Sequence, residues 1–135
     1  MRVVSGTLRG LDDDEREKYS PYKYVTLSEY IYERKDKKII VKEGFLTDGS
    51  SGGPNYGSSW IFHDYLYATH QFTEGGKCTR RKADKVMERI LTSEGLGWYT
   101  WLFVKTSYLN PFWLFSKAWE TSGKRGPEYL DSQLN

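Results

Sequence analysis

The hydrophobic period of this chain changes once, and a glycine-rich stretch marks the change. Before Gly44 apolar residues alternate, and after Ser59 they recur every three or four positions, the periods of strands and of helices. From Tyr22 to Tyr32, one face carries Tyr24, Thr26, Ser28, Tyr30 and Tyr32, and the other carries Val25, Leu27 and Ile31. That pattern predicts a strand with one buried side. Arg34-Lys35-Asp36-Lys37-Lys38 supplies a polar turn, and Ile39-Ile40-Val41 follows with β-branched side chains that suit a pleated surface. The two runs form an antiparallel hairpin.

Gly44 to Ser59 contains five glycines and Pro54, too many for a regular element but enough to present backbone amides and carbonyls to a ligand. Ser58 or Ser59 then caps a helix from about Trp60 to Thr69. Gly75-Gly76 breaks it, and Thr79 caps a second helix ending near Gly95. There Ala83, Val86, Met87, Ile90 and Leu91 form one apolar stripe. A third, aromatic-rich helix begins at Trp98, and Asn110-Pro111 starts a fourth through Phe112, Trp113, Phe115 and Trp119. Strands that precede helices instead of alternating with them predict a small α+β domain: hairpin, Gly-rich loop, then three or four packed helices. Its expected extent is 22–121, between an N-terminal arm, 1–21, and a loose tail, 122–135. The charged segment 12–18 reads as a solvated part of that arm.

Composition narrows the function classes. With 20 basic and 18 acidic residues the net charge is +2, too balanced to draw nucleic acid in non-specifically. Cys78 is the single cysteine, so no disulfide framework exists. Cys78, His63 and His70 also lack the paired spacings of closed zinc sites. Met1 to Thr7 has no apolar signal-peptide core, and Trp98 to Trp119 is broken by Lys105, Asn110, Pro111 and Lys117. A soluble protein without transmembrane segments is expected.

The chemistry concentrates in Trp60-Ile61-Phe62-His63-Asp64-Tyr65-Leu66-Tyr67 and in Arg80-Arg81-Lys82-Ala83-Asp84. On a helix His63 and Tyr67 share a face while Asp64 points about 100° away. Asp84 borders the apolar stripe of the second helix and so faces the seam between the two. A carboxylate there can fix the tautomer of an imidazole, making His63 a candidate general base and Asp84 its partner. Asp64, pointing elsewhere, suits a hard cation. Asp48, after Thr47, is either a third site acid or an Asx-turn residue. His70 returns to nearly the face of His63 but borders a loop, where it is expected to face solvent. Arg80-Arg81-Lys82 at a helix N-terminus is plain surface charge or an anion contact.

Three blocks in order, Val41-Lys42-Glu43-Gly44-Phe45-Leu46-Thr47-Asp48, His63-Asp64-Tyr65-Leu66-Tyr67, and Arg81 with Ala83-Asp84, resemble the domain-of-unknown-function family numbered 1353. That family is common in tailed phages, prophages and some large DNA viruses. It usually continues Thr-Asp with a Leu-Ala-Ser-Val-Pro-like run, where this chain has Gly49-Ser50-Ser51-Gly52-Gly53-Pro54. More distantly, His63, Asp64, Tyr67 and Asp84 are similar to the layout of the phospholipase A-two group, including the form in parvovirus capsids. That resemblance implies that His63 activates water and Asp84 orients it. It implies further that Asp64 binds calcium and that a glycine-rich loop, here with Gly49, Gly52, Gly53 and Gly57, completes the metal site, to which Asp48 is a further candidate ligand by its position after Thr47. Tyr67 would help hold the carboxylate and serve substrate binding, and Trp98, Trp101, Phe112 and Trp113 would meet a lipid interface. The rival reading is a non-enzymatic virion component, a minor capsid or tail protein. In it His63, Asp84 and Asp48 form an architectural polar network, and an aromatic surface from Trp98 to Trp119 binds other virion proteins. Lipid or virion proteins are thus the implied partners, and calcium the implied cofactor.

Overall fold

The computed structural model describes residues 1–49, 58–95 and 112–130. Among the described residues lie six strands, β1 (Arg2–Val4), β2 (Leu8–Gly10), β3 (Tyr24–Thr26), β4 (Tyr30–Arg34), β5 (Lys37–Val41) and β6 (Leu46–Thr47), and four helices. The helices are α1 (Asp13–Lys18), α2 (Ser59–Thr69), α3 (Arg80–Ser93) and α4 (Phe112–Arg125). The α+β class expected from the change of period is what the chain adopts. The helix expected from Trp98, and Gly52, Gly53 and Gly57, lie outside the described residues.

The strands form two antiparallel sheets, β1-β4-β5 and β2-β3-β6. The expected hairpin is β4 with β5, pairing Tyr30 with Val41 and Tyr32 with Ile39. Its turn places Lys35 in the left-handed region, φ 55. The single strand expected from Tyr22 to Tyr32 is instead two strands that belong to different sheets. Alternation continues through the break, so period alone cannot reveal it; Leu27, in the break, is 43% exposed. On β4 the tyrosines take the inner face, with Tyr30 and Tyr32 buried while Ile31 is half-buried.

The segment before Tyr22 is structured as well. β1 pairs with β4 and β2 with β3. The charged run 12–18 is helical because it carries its own capping box: Glu15 N–H donates to Asp12 Oδ1 at 2.9 Å, and Asp12 N–H donates to Glu15 Oε1 at 3.1 Å. Arg9 grips Glu15 with two bonds, 2.7 and 2.9 Å, and with the Asp12 amide holds its carboxyl down to about 2. After α4, Leu130 N–H donates to the Gly44 carbonyl at 2.8 Å and Leu46 N–H to that of Glu128 at 3.0 Å. The residues expected to form a loose tail therefore brace β6.

One core joins both helices to the β1-β4-β5 sheet, with Tyr30, Tyr32, Ile39 and Val41 facing Phe62, Leu66, Val86 and Ile90. A smaller one gathers Leu11, Val25, Leu46 and Leu130. The β1–β2 connection crosses closely over the β3–β4 break at Gly6, where a Cβ would stand 2.6 Å from the backbone oxygens of Ser28 and Glu29. Gly6→Ala should therefore lower unfolding stability by roughly 1–3 kcal/mol, read in denaturant melts, because backbone must shift to admit the methyl.

Candidate active site

Helix α2 contacts α3, α4 and β5, and Trp60, Ile61, Phe62, Leu66 and Tyr67 are buried on it. A helix covered on several sides cannot leave polar side chains to bulk water, so those it carries need partners. His63, Asp64 and Tyr67 find them, while the buried Ser59 hydroxyl has none among the described residues. Thr79 caps α3, accepting from Lys82 N–H at 3.3 Å, and sets its register. The equivalent role expected of Ser58 is not played by its hydroxyl, which donates to Glu94 at 3.1 Å.

The α2–α3 seam brings His63, Tyr67 and Asp84 together. His63 Nε2 lies 2.8 Å from Asp84 Oδ1, and the Tyr67 hydroxyl donates to the same oxygen at 2.7 Å. Arg80, one turn before Asp84, stands 3.7 Å from its other oxygen. Since a carboxylate only accepts, the neutral imidazole carries its proton on Nε2 and its basic lone pair on Nδ1. The His63 and Asp84 side chains keep 13% and 14% of their surface exposed, so the pair is not sealed in the core. Burial, and then the Asp84 charge, hold the Tyr67 phenol far above its ordinary value. It remains a donor, and its hydroxyl serves Asp84 in the described site.

Behind Tyr67 stands an aromatic brace. Trp119 of α4 meets the Tyr67 ring edge-on at 4.9 Å, and His70 stacks flat on Trp119 at 3.7 Å. His70 does not face solvent. Its Nε2 is 2.9 Å from the Trp119 carbonyl, and Gly123 leaves it room, since a Cβ there would fall 2.4 Å from His70 Cε1. Of the aromatic run, the side chains from Trp98 to Phe115 lie outside the described residues; Trp119 packs inward.

On another face of α2, Asp64 meets β6. Thr47 donates its hydroxyl to Asp64 Oδ2 and accepts from Gly49 N–H at 3.2 Å, with Gly49 at φ 87. Burial, then the charge of Asp48, push the Asp64 carboxyl well above its ordinary 3.8. Asp48, exposed beside the buried Thr47, is thus the acid that neighbours Asp64. Two hard oxygen donors of like charge suit a proton or a cation such as calcium between them. Among the described residues, no three His, Cys, Asp or Glu side chains converge to hold an ion. Cys78 is buried, and that burial pushes its thiol up to about 11.

The family model described as "Protein of unknown function (DUF1353)" matches residues 24–104. The chain belongs to that family. No curated protein and no solved structure matches it. The matched DUF1353 span runs from β3 and includes Thr47, Asp48, His63, Asp64, Tyr67 and Asp84, while Trp119 of the brace lies beyond it. Thr47 stands in the family-like Thr-Asp block, whereas Arg80 and the His70–Trp119 stack carry no mark of their roles in the sequence. Only Arg80 was within reach of one, since it sits four residues before Asp84 on a helix.

Tyr67→Phe removes one of two hydrogen bonds to Asp84 Oδ1, and should cost about 1.5–3 kcal/mol in chemical unfolding. Asp64 gives a pH signature. Its folded value is raised, so above pH 4 or so the unfolded chain has lost a proton that the folded chain keeps, and stability falls as pH rises. Asp64→Asn removes that loss. In chelator, its thermal midpoint should exceed that of the parent by a margin that widens from about pH 4 upward and vanishes below it.

Proposed function

We propose that this DUF1353 protein hydrolyses ester bonds of phospholipids, with His63 as general base, Asp84 as its orienting acid and calcium at Asp48 and Asp64. The observation that carries this reading is the single oxygen of Asp84 that holds both His63 Nε2 and the Tyr67 hydroxyl, at 2.8 and 2.7 Å, in a partly open seam.

The steps follow from the tautomer. Nδ1 of His63 takes a proton from water as the water oxygen attacks the ester carbonyl, and Asp84 stabilises the resulting imidazolium. The imidazolium then returns the proton to the departing alkoxide, which leaves as the alcohol. Tyr67 keeps Asp84 from rotating away, because its hydroxyl fixes the same oxygen. Calcium, when bound, would polarise the carbonyl and balance the charge that develops on its oxygen. Thr47 positions Asp64 for that role by donating to its Oδ2. Among the described residues no helix is long and apolar enough to cross a membrane, which fits an enzyme that meets lipid from one side.

Mixed phospholipid vesicles, with calcium or with chelator, provide the test. Release of fatty acid by the parent should fall roughly 10²–10⁴-fold in His63→Gln, the range lost with a general base, and should stop in chelator. A rate unchanged by His63→Gln removes the histidine from catalysis and with it the proposal.

A further inference from the structure

The outer face of α3 carries a second feature, separate from the His63 seam. Lys85, Glu88, Arg89 and Thr92 recur at i, i+3, i+4 and i+7 and so form one stripe, about a quarter turn from Asp84. With Arg34, the last residue of β4, and with Met1, they line an open concavity of about 490 Å³.

Its charges do not balance. Three cationic side chains, Arg34, Lys85 and Arg89, together with the amino group of Met1, stand against one acid, Glu88, which is engaged by Lys85 at 3.4 Å. The next carboxylate along, Glu33, is held by Arg2 at 2.8 Å and by Lys38 at 3.4 Å. Among the described residues, neither Arg34 nor Arg89 pairs with a carboxylate. Both arginines line the same concavity, and the Arg89 side chain also reaches the hydroxyl of the buried Tyr32 on β4. Packing has therefore brought two arginines together without supplying an anion.

We propose that this concavity binds a phosphate monoester, with Arg34 and Arg89 gripping the phosphate and Lys85 at its rim. The excess of positive charge favours a monoester dianion over a phosphodiester, which carries one negative charge. Planar guanidinium forks suit phosphate oxygens pairwise, and the remaining volume accepts a small organic group. The phosphate is either that of a soluble metabolite-sized ester or the headgroup of a lipid such as phosphatidic acid. The recognising chemistry is common to both.

Calorimetric titration of the full chain with inorganic phosphate and with glycerol 3-phosphate tests the soluble source. Co-sedimentation with phosphatidylcholine vesicles containing phosphatidic acid or phosphatidylglycerol tests the headgroup. Saturable binding of a soluble probe, or binding to phosphatidic acid in preference to phosphatidylglycerol, is expected, weakened roughly tenfold or more in Arg34→Gln and in Arg89→Gln. Lys117→Gln, an exposed cation on α4, should leave it unchanged. Arg34 ends a strand, so its variant keeps the test decisive where loss of Arg89 beside Tyr32 disturbs folding. His63→Gln should bind like the parent, so that this site and the proposed hydrolysis stand or fall separately. Binding to none of these probes, equal binding to phosphatidylglycerol, or binding that survives both arginine substitutions overturns the proposal.

Discussion

A helix buried on several sides governs this molecule. Helix α2 lies against α3, α4 and β5, and most of its length is apolar enough to belong there. His63, Asp64 and Tyr67 are the exceptions. Desolvating an unpaired polar group costs on the order of 1–3 kcal/mol, so each must meet a partner supplied by another element. Those partners arrive from three directions: Asp84 from α3, Thr47 from β6, and Trp119 from α4 against the Tyr67 ring. Burial of the helix and assembly of the site are therefore one requirement.

The two acids of the site are separated by that geometry. Asp84 accepts hydrogen bonds from a histidine and a phenol, and has Arg80 beside it. Asp64 has one hydroxyl donor and a neighbouring acid, and its carboxyl is pushed upward. Adjacent positions on one helix thus lead to opposite electrostatic surroundings. One acid is set to hold a proton on an imidazole, and the other to take a proton or a cation itself.

How far the sequence reveals this depends on how local each relation is. Asp84 at the border of the apolar stripe and Asp64 one residue from His63 are consequences of helical spacing, so both directions were readable from the chain. The pairing of β4 with β5 was readable for the same reason, since the turn at Lys35-Asp36 joins neighbours. The capping box at Asp12 and Glu15 was also present in the letters, but a dense run of charges hid it. The division of the Tyr22 to Tyr32 run between two sheets was hidden for another reason, because the alternation passes through the break unchanged. Nor was the His70 stack readable. It depends on Trp119 and Gly123, far along the chain, and a histidine at a helix end carries no mark of an aromatic partner.

The bracing of β6 by Glu128, Tyr129 and Leu130 bears on how the protein comes into being. Phe45 bridges Tyr129, and the neighbouring amides of Leu46 and Leu130 are paired across the same gap. Thr47 and Asp48 follow directly on that clamped strand. During synthesis, a chain still held by the ribosome short of residue 126 already contains every element of the His63–Asp84 seam. The strand that delivers Thr47 to Asp64 gains its second flank only when a segment more than eighty positions downstream emerges.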